Sequence, residues 1–157
     1  IKLLRLENGA EIWEREFPFV VNCAGSKERV FIAGLEKLFC VDAFNGETIW
    51  QLPLKSPPSV IAIENRTVFL GSIDGEVIKI SPEGDVQWSS VVDHNPISYI
   101  ALDDNLLVLS IGTRVSILSR EGRKIYNWHL GREFKNEEKG EDFWLNGFAR
   151  KRECLYV

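Results

Sequence analysis

An all-β fold built from repeated four-stranded antiparallel units is what this sequence predicts, and three observations predict it. A glycine followed four residues later by an aromatic recurs at Gly9 and Trp13, Gly46 and Trp50, Gly84 and Trp88, and Gly122 and Tyr126, with the glycines 37, 38 and 38 residues apart. A second mark keeps the same period: an apolar stretch, a short polar turn and another apolar stretch. No window of a dozen residues shows sustained helical periodicity with capping residues, so no helix is expected.

The elements follow in order. Strand A is the first apolar stretch of each unit: Val20-Val21-Asn22-Cys23, Val60-Ile61-Ala62-Ile63, Tyr99-Ile100-Ala101-Leu102, and a fourth copy Leu145-Asn146-Gly147-Phe148. Polar turns such as Ser26-Lys27-Glu28, Glu64-Asn65-Arg66, Asp103-Asp104-Asn105 and Arg150-Lys151-Arg152 lead into strand B. Strand B is Val30-Phe31-Ile32, Val68-Phe69-Leu70, Leu107-Val108-Leu109 or Cys154-Leu155-Tyr156-Val157. The next turns hold Gly34-Leu35-Glu36-Lys37, Ser72-Ile73-Asp74-Gly75 and Ile111-Gly112-Thr113. Asp74-Gly75 is a strong hairpin signal, because glycine accepts positive φ. Strand C is Leu38-Phe39-Cys40-Val41, Val77-Ile78-Lys79-Ile80 or Val115-Ser116-Ile117-Leu118, and the glycine turn after it opens strand D, which holds the aromatic. Short strands with regular turn signals at this period match the size of a β-propeller blade.

The phase divides the chain into strands C and D at 1–17, full blades at 18–54, 56–92 and 96–130, a charged insertion at 131–142, and strands A and B at 142–157. That is about four blade-equivalents in a single partial propeller domain.

At Val41-Asp42-Ala43-Phe44-Asn45-Gly46-Glu47-Thr48-Ile49-Trp50 the unit resembles the PQQ-like repeat of the quinoprotein-dehydrogenase-like β-propellers. The signature is an Asp, a turn with Gly, and a Trp closing the unit. Ser81 and Ser119 stand near the place of Asp42 in later copies, and Trp128 lies two residues beyond Tyr126 on the same side of a strand. The resemblance implies that the Trp packs between neighbouring blades. It also implies a ring of eight blades, of which this chain would be half. Such a half is either a fragment of a longer protein or one of two half-rings that complete each other.

Composition narrows the function. With 19 basic and 23 acidic residues and a net charge of -4, the chain lacks the basic excess of a general nucleic-acid binder. No apolar run approaches the roughly 20 residues of a membrane helix. The three cysteines, Cys23, Cys40 and Cys154, are widely spaced and are read as small buried hydrophobes. His94 and His129 are read as structural or surface residues, and Asp93-His94 has no nucleophile elbow to support a hydrolase triad. Asn65-Arg66-Thr67 fits a glycosylation acceptor on an exposed hairpin. The quinone-dependent dehydrogenases of the family carry adjacent cysteines, a calcium ion and an Asp base. Here no two cysteines are adjacent, so no catalytic residue, cofactor or metal is assigned.

The expected function is a noncatalytic propeller scaffold or protein-binding module, whose partner is another protein or the remaining blades of the same propeller. The alternative is a piece of a quinone-dependent dehydrogenase or another propeller enzyme whose active-site residues lie outside this chain. Non-enzymatic relatives include a bacterial outer-membrane assembly lipoprotein. In a propeller the D–A and B–C turns share one rim, and here the D–A connections vary most. Partner contacts are therefore expected at Arg132, Glu133, Glu137, Glu138 and Lys139, with Glu36, Lys37 and Asp74 secondary.

Overall fold

The computed structural model describes residues 1–111, 114–129, 149–151 and 154–156. Among these residues there is no helix. Among the described residues the strands form three four-stranded and two two-stranded sheets, and every pairing is antiparallel. The first pair is β1 (Lys2–Leu4) with β2 (Glu11–Glu14). Three full blades follow, each ordered as in the chain. They are β3 (Val20–Gly25), β4 (Arg29–Gly34), β5 (Lys37–Asp42) and β6 (Thr48–Pro53); β7 (Pro58–Glu64), β8 (Thr67–Ser72), β9 (Glu76–Ile80) and β10 (Val86–Val91); and β11 (Ile97–Leu102), β12 (Leu106–Ser110), β13 (Arg114–Leu118) and β14 (Lys124–His129). The last pair is β15 (Ala149–Lys151) with β16 (Cys154–Tyr156).

The core lies between the sheets. A single twisted sheet with two apolar faces buries neither alone, so successive blades stack face to face. Phe31, Leu38 and Cys40 of the first full blade pack on Val68, Leu70 and Ile80 of the second. Phe69 and Val77 of the second pack on Ile100, Leu106, Val108 and Leu118 of the third. The β1–β2 pair covers Ile32, Phe39 and Val41 through Leu3 and Trp13, with Ile1 just before β1.

The inner strands approach closely at Gly71, where a Cβ would stand 2.6 Å from Ile97 and 2.7 Å from Val60. Ser59 Oγ fastens the same contact by donating to the Ile97 carbonyl at 2.6 Å. Ser59 is the extra residue of a bulge, since Pro58 pairs with Ser72 while Val60 pairs with Gly71.

Cys40 is buried, but Cys23 is exposed, which corrects its expected burial. Cys23 sits on β3, the inner strand of its blade, and the neighbouring β1–β2 sheet has only two strands to cover that blade. Cys154 falls where only the backbone is described.

The glycine turns have a steric cause beyond their hairpins. Gly46 has φ 71, and a Cβ there would lie 2.8 Å from the Trp13 ring. Gly46→Ala carries a left-handed backbone cost of about 1–2 kcal/mol and an overpacking cost of about 1–3 kcal/mol. In a Trp13→Leu background the overpacking part disappears and the loss falls to about 1–2 kcal/mol. Denaturant unfolding of the four proteins in this cycle measures the difference, and equal losses in both backgrounds would remove the ring contact as the cause.

Candidate protein-binding rim and inter-blade latch

Three indoles, Trp13, Trp50 and Trp88, each tie their sheet to the next one along the chain. Trp13 Nε1 donates to the Ala43 carbonyl at 3.0 Å, Trp50 Nε1 to the Pro82 carbonyl at 2.9 Å, and Trp88 Nε1 to the Arg120 carbonyl at 2.9 Å. All three acceptors lie in the C–D turn of the following blade, beside its glycine. A Cβ on Gly84 would lie 2.8 Å from the Trp50 ring, and one on Gly122 would lie 2.6 Å from the Trp88 ring. The glycine of one repeat therefore receives the indole of the repeat before it.

A bulge sets the indole. Leu3 pairs with Trp13 and Leu4 with Glu11, which leaves Ile12 as the extra residue. Ile49, Gln87 and Ile125 take the same place before Trp50, Trp88 and Tyr126. The extra residue bends the outer strand and re-aims the side chain that follows it.

Asp42 holds its turn by accepting from the Phe44 and Asn45 amides at 2.7 and 3.1 Å. Ser81 Oγ does the same work for Glu83 and Asp85 at 3.2 Å, and Ser119 Oγ for Glu121 and Arg123 at 3.3 Å. The replacement of Asp by Ser keeps the side-chain acceptor the turn requires.

Cationic side chains reinforce the same seams. Arg29 donates to the Pro82 carbonyl and Lys79 Nζ to the Arg120 carbonyl, so each carbonyl receives an indole and a cation. Arg120 also grips Glu64 through two bonds of 2.8 and 3.0 Å and donates to the Asp103 carbonyl. These contacts join the A–B and C–D turns on one rim.

The opposite rim is organised by another repeated bond. The amides of Leu35, Ile73 and Ile111, in successive B–C turns, donate to the carbonyls of Phe19, Pro57 and Pro96 at the starts of their blades. This bond holds each B–C turn against the D–A connection. Glu36, Lys37 and Asp74 are exposed there. Lys37 Nζ reaches Gln51 Oε1 at 3.3 Å, and the Glu36 carbonyl accepts from the Leu54 amide. Arg132, Glu133, Glu137, Glu138 and Lys139 lie outside the described residues.

Sequence reasoning missed an apolar row on this rim. Phe19, Leu35, Ile73 and Ile111 are all exposed, and the last three occupy one position of the repeat at intervals of 38 residues. An aliphatic side chain kept in a polar turn at a fixed repeat position was the available signal. Phe19 also holds φ 47, a conformation a bulky residue rarely adopts. It opens with Pro18, Leu35 and Phe39 onto a shallow apolar cleft edged by Glu36 and Lys37.

Asp93, weighed in the sequence only as part of a hydrolase triad, has a buried structural role that sequence reasoning missed. It is buried in the D–A connection before β11, where Ser110 Oγ donates to its Oδ2 and the His94 amide to its Oδ1 at 2.8 Å. Arg114 Nε stands 3.7 Å away. Burial pushes the carboxyl up, but the Ser110 and backbone hydrogen bonds with the Arg114 charge outweigh it and hold Asp93 below the usual carboxylate range. His94 itself is exposed. Among the described residues no group of three His, Cys, Asp or Glu side chains could hold a metal ion.

A family model described as outer membrane protein assembly factor BamB matches residues 1–142. The computationally designed Ika8 protein superposes with a TM-score of 0.80 at 14% identity, over 98% of this chain and 48% of that one. BamB from Moraxella catarrhalis superposes with a TM-score of 0.68 at 20% identity, over 80% of this chain and 45% of that one. The chain thus spans about half the length of either structure. No curated protein sequence matches it.

Two measurements test the site. Trp50→Ala removes an inter-blade anchor and is expected to cost about 3–5 kcal/mol, while Trp50→Phe keeps a ring and loses the N–H bond for about 1 kcal/mol beyond its packing change; a loss below about 1 kcal/mol in Trp50→Ala denies the anchor role. Asp93→Asn is expected to destabilise by about 1–3 kcal/mol near neutral pH. Because the folded carboxyl is depressed, its stabilisation is present above the unfolded value of about 3.9 and is lost as pH falls through the folded value. The gap between wild type and Asp93→Asn therefore closes on acidification, and a gap that stays constant with pH would contradict the assignment.

Proposed function

Since this chain belongs to the PQQ-like propeller family whose model is described as outer membrane protein assembly factor BamB, we propose that it is a noncatalytic protein-binding scaffold. The observation that carries the proposal is the family match over residues 1–142. The partner is a protein component of an assembly of the kind that family's description names, and the chain works as part of a larger propeller assembly.

The rim made by the D–A and B–C turns is the binding face. Two features support this choice. Leu35, Ile73 and Ile111 give the rim an exposed aliphatic row, with Phe19 at one end. Glu36, Lys37 and Asp74 set charges of both signs beside that row. Apolar residues ringed by polar ones supply contact area, and the charges tune association rate and salt dependence. The charged segment 131–142 follows β14 in the chain, and Arg132, Glu133, Glu137, Glu138 and Lys139 are its proposed contacts.

The experiment is capture of membrane-assembly proteins by the protein, compared with two variants. One replaces 131–142 by a short Gly-Ser turn, and the other carries Glu36→Ala, Lys37→Ala and Asp74→Ala. Both are expected to retain less partner, with the larger deficit at low salt. Capture unchanged in both variants at low and moderate salt would remove this rim as the binding face.

A further inference from the structure

The C–D turn of the first full blade carries chemistry that the C–D turns of the next two lack. Of the three glycines that receive an indole, only Gly46 follows an asparagine; Gly84 follows Glu83 and Gly122 follows Glu121. An asparagine before a glycine can lose ammonia when the next backbone nitrogen attacks its side-chain amide, because glycine has no Cβ to block the approach. Asn45 is exposed, so water reaches its carboxamide, while Gly46 beside it is buried.

Both reacting groups are engaged in the folded turn. The Gly46 amide, which must give up its proton to attack, donates to the Asp42 carbonyl at 2.9 Å. The Asn45 carboxamide is clamped to Glu47: its Oδ1 accepts from the Glu47 amide at 2.8 Å, and its Nδ2 donates to Glu47 Oε2 at 3.2 Å. The backbone amide of Asn45 is held by Asp42 Oδ1 at 3.1 Å. Over this turn lies the Trp13 ring, three of whose atoms would stand 2.8, 3.0 and 3.2 Å from a Cβ on Gly46. Its Nε1 donates to the Ala43 carbonyl at 3.0 Å, which pins the turn from the neighbouring sheet.

We propose that Asn45–Gly46 is a site of spontaneous deamidation gated by the Trp13 indole, so that the modification marks chains in which this seam has opened. In the opened turn the Gly46 nitrogen bonds to Asn45 Cγ, the Cγ–Nδ2 bond breaks, and the amide proton, carried by water, leaves with ammonia. Water then opens the cyclic imide. Attack at Cγ yields aspartate. Attack at the Asn45 backbone carbonyl carbon yields isoaspartate, with the main chain rerouted through the side chain. Nothing is oxidised or reduced, and water is the only co-reactant. Neither product restores the seam. Aspartate sets a like charge against Glu47 where Asn45 had a donor. Isoaspartate adds a methylene to the backbone and displaces Gly46 from beneath the ring. The opening is thereby recorded irreversibly.

Incubation of the 157-residue chain at mildly alkaline pH, followed by mass analysis of the peptide between Lys37 and Lys55, tests the gating, since Asn45 is the only asparagine in that peptide. Deamidation there is expected to run about tenfold or more faster in denaturant than in the folded chain, because the folded turn reacts only through its opened fraction. Trp13→Leu is expected to speed the reaction of the folded chain about fivefold or more, and Trp88→Leu, which removes the equivalent indole of a later seam, to leave it within about a factor of two. Trp13→Phe keeps a ring and loses the N–H bond; it is expected to fall between parent and Trp13→Leu, and it carries the test if Trp13→Leu loses the parent's far-UV circular dichroism. Equal rates in the folded and denatured chains would overturn the proposal. So would Trp13 variants no faster than the parent, or a Trp88→Leu chain as fast as Trp13→Leu, which would make global unfolding the gate.

Discussion

The indole–glycine contact is the constraint from which the rest of this structure follows. A blade is a twisted four-stranded sheet with apolar residues on both faces, and it is stable only when both are covered. Shape alone would let two such sheets slide. The indole prevents this by coupling three requirements at one point: a bulge that aims it, a carbonyl that accepts its N–H, and a glycine that lets its ring approach the next turn. A side chain on Gly84 would deny the ring its place, and loss of the Trp50 N–H would leave a carbonyl to its cationic partner alone. The 37- and 38-residue spacing in the sequence is the imprint of this contact.

Much of the fold was therefore legible from residues alone. Gly and Trp at fixed offsets gave the period, and apolar alternation gave the strands. What the spacing did not reveal is which Trp meets which Gly. Trp50 and Gly46 are close in sequence, yet the ring over Gly46 belongs to Trp13, one blade earlier. Long-range pairing of this kind leaves no local signature, because its two members belong to different repeats. The exposure of Cys23 was hidden for a related reason, since burial of an inner strand depends on the neighbouring sheet rather than on the strand's own pattern.

The candidate site was less legible. Charge in a long connection drew attention to Arg132, Glu133, Glu137, Glu138 and Lys139, which lie outside the described residues, and charge in short turns drew it to Glu36, Lys37 and Asp74. The aliphatic row beside Glu36, Lys37 and Asp74 went unread because Leu35, Ile73 and Ile111 read only as members of the turns between strands B and C. Their backbone amides hold each turn to the connection that precedes the blade's first strand, and their side chains are exposed. The structural role of Asp93 went unread because its partners, Ser110 and Arg114, sit 17 and 21 residues away, across a hairpin. The two rims thus divide the labour. The A–B and C–D rim carries the cationic and indole ties that fix blade to blade, and the D–A and B–C rim carries the variation.

The central claim is that the indoles of Trp13, Trp50 and Trp88 bind the blades together rather than resting at their edges. Hydrogen exchange at the three indole N–H groups, followed by NMR, tests it most directly. If the account is right, all three exchange slowly, and their protection tracks the free energy of unfolding as denaturant is added. Exchange of these protons at the rate of a free indole, under conditions where the strand amides stay protected, would contradict it.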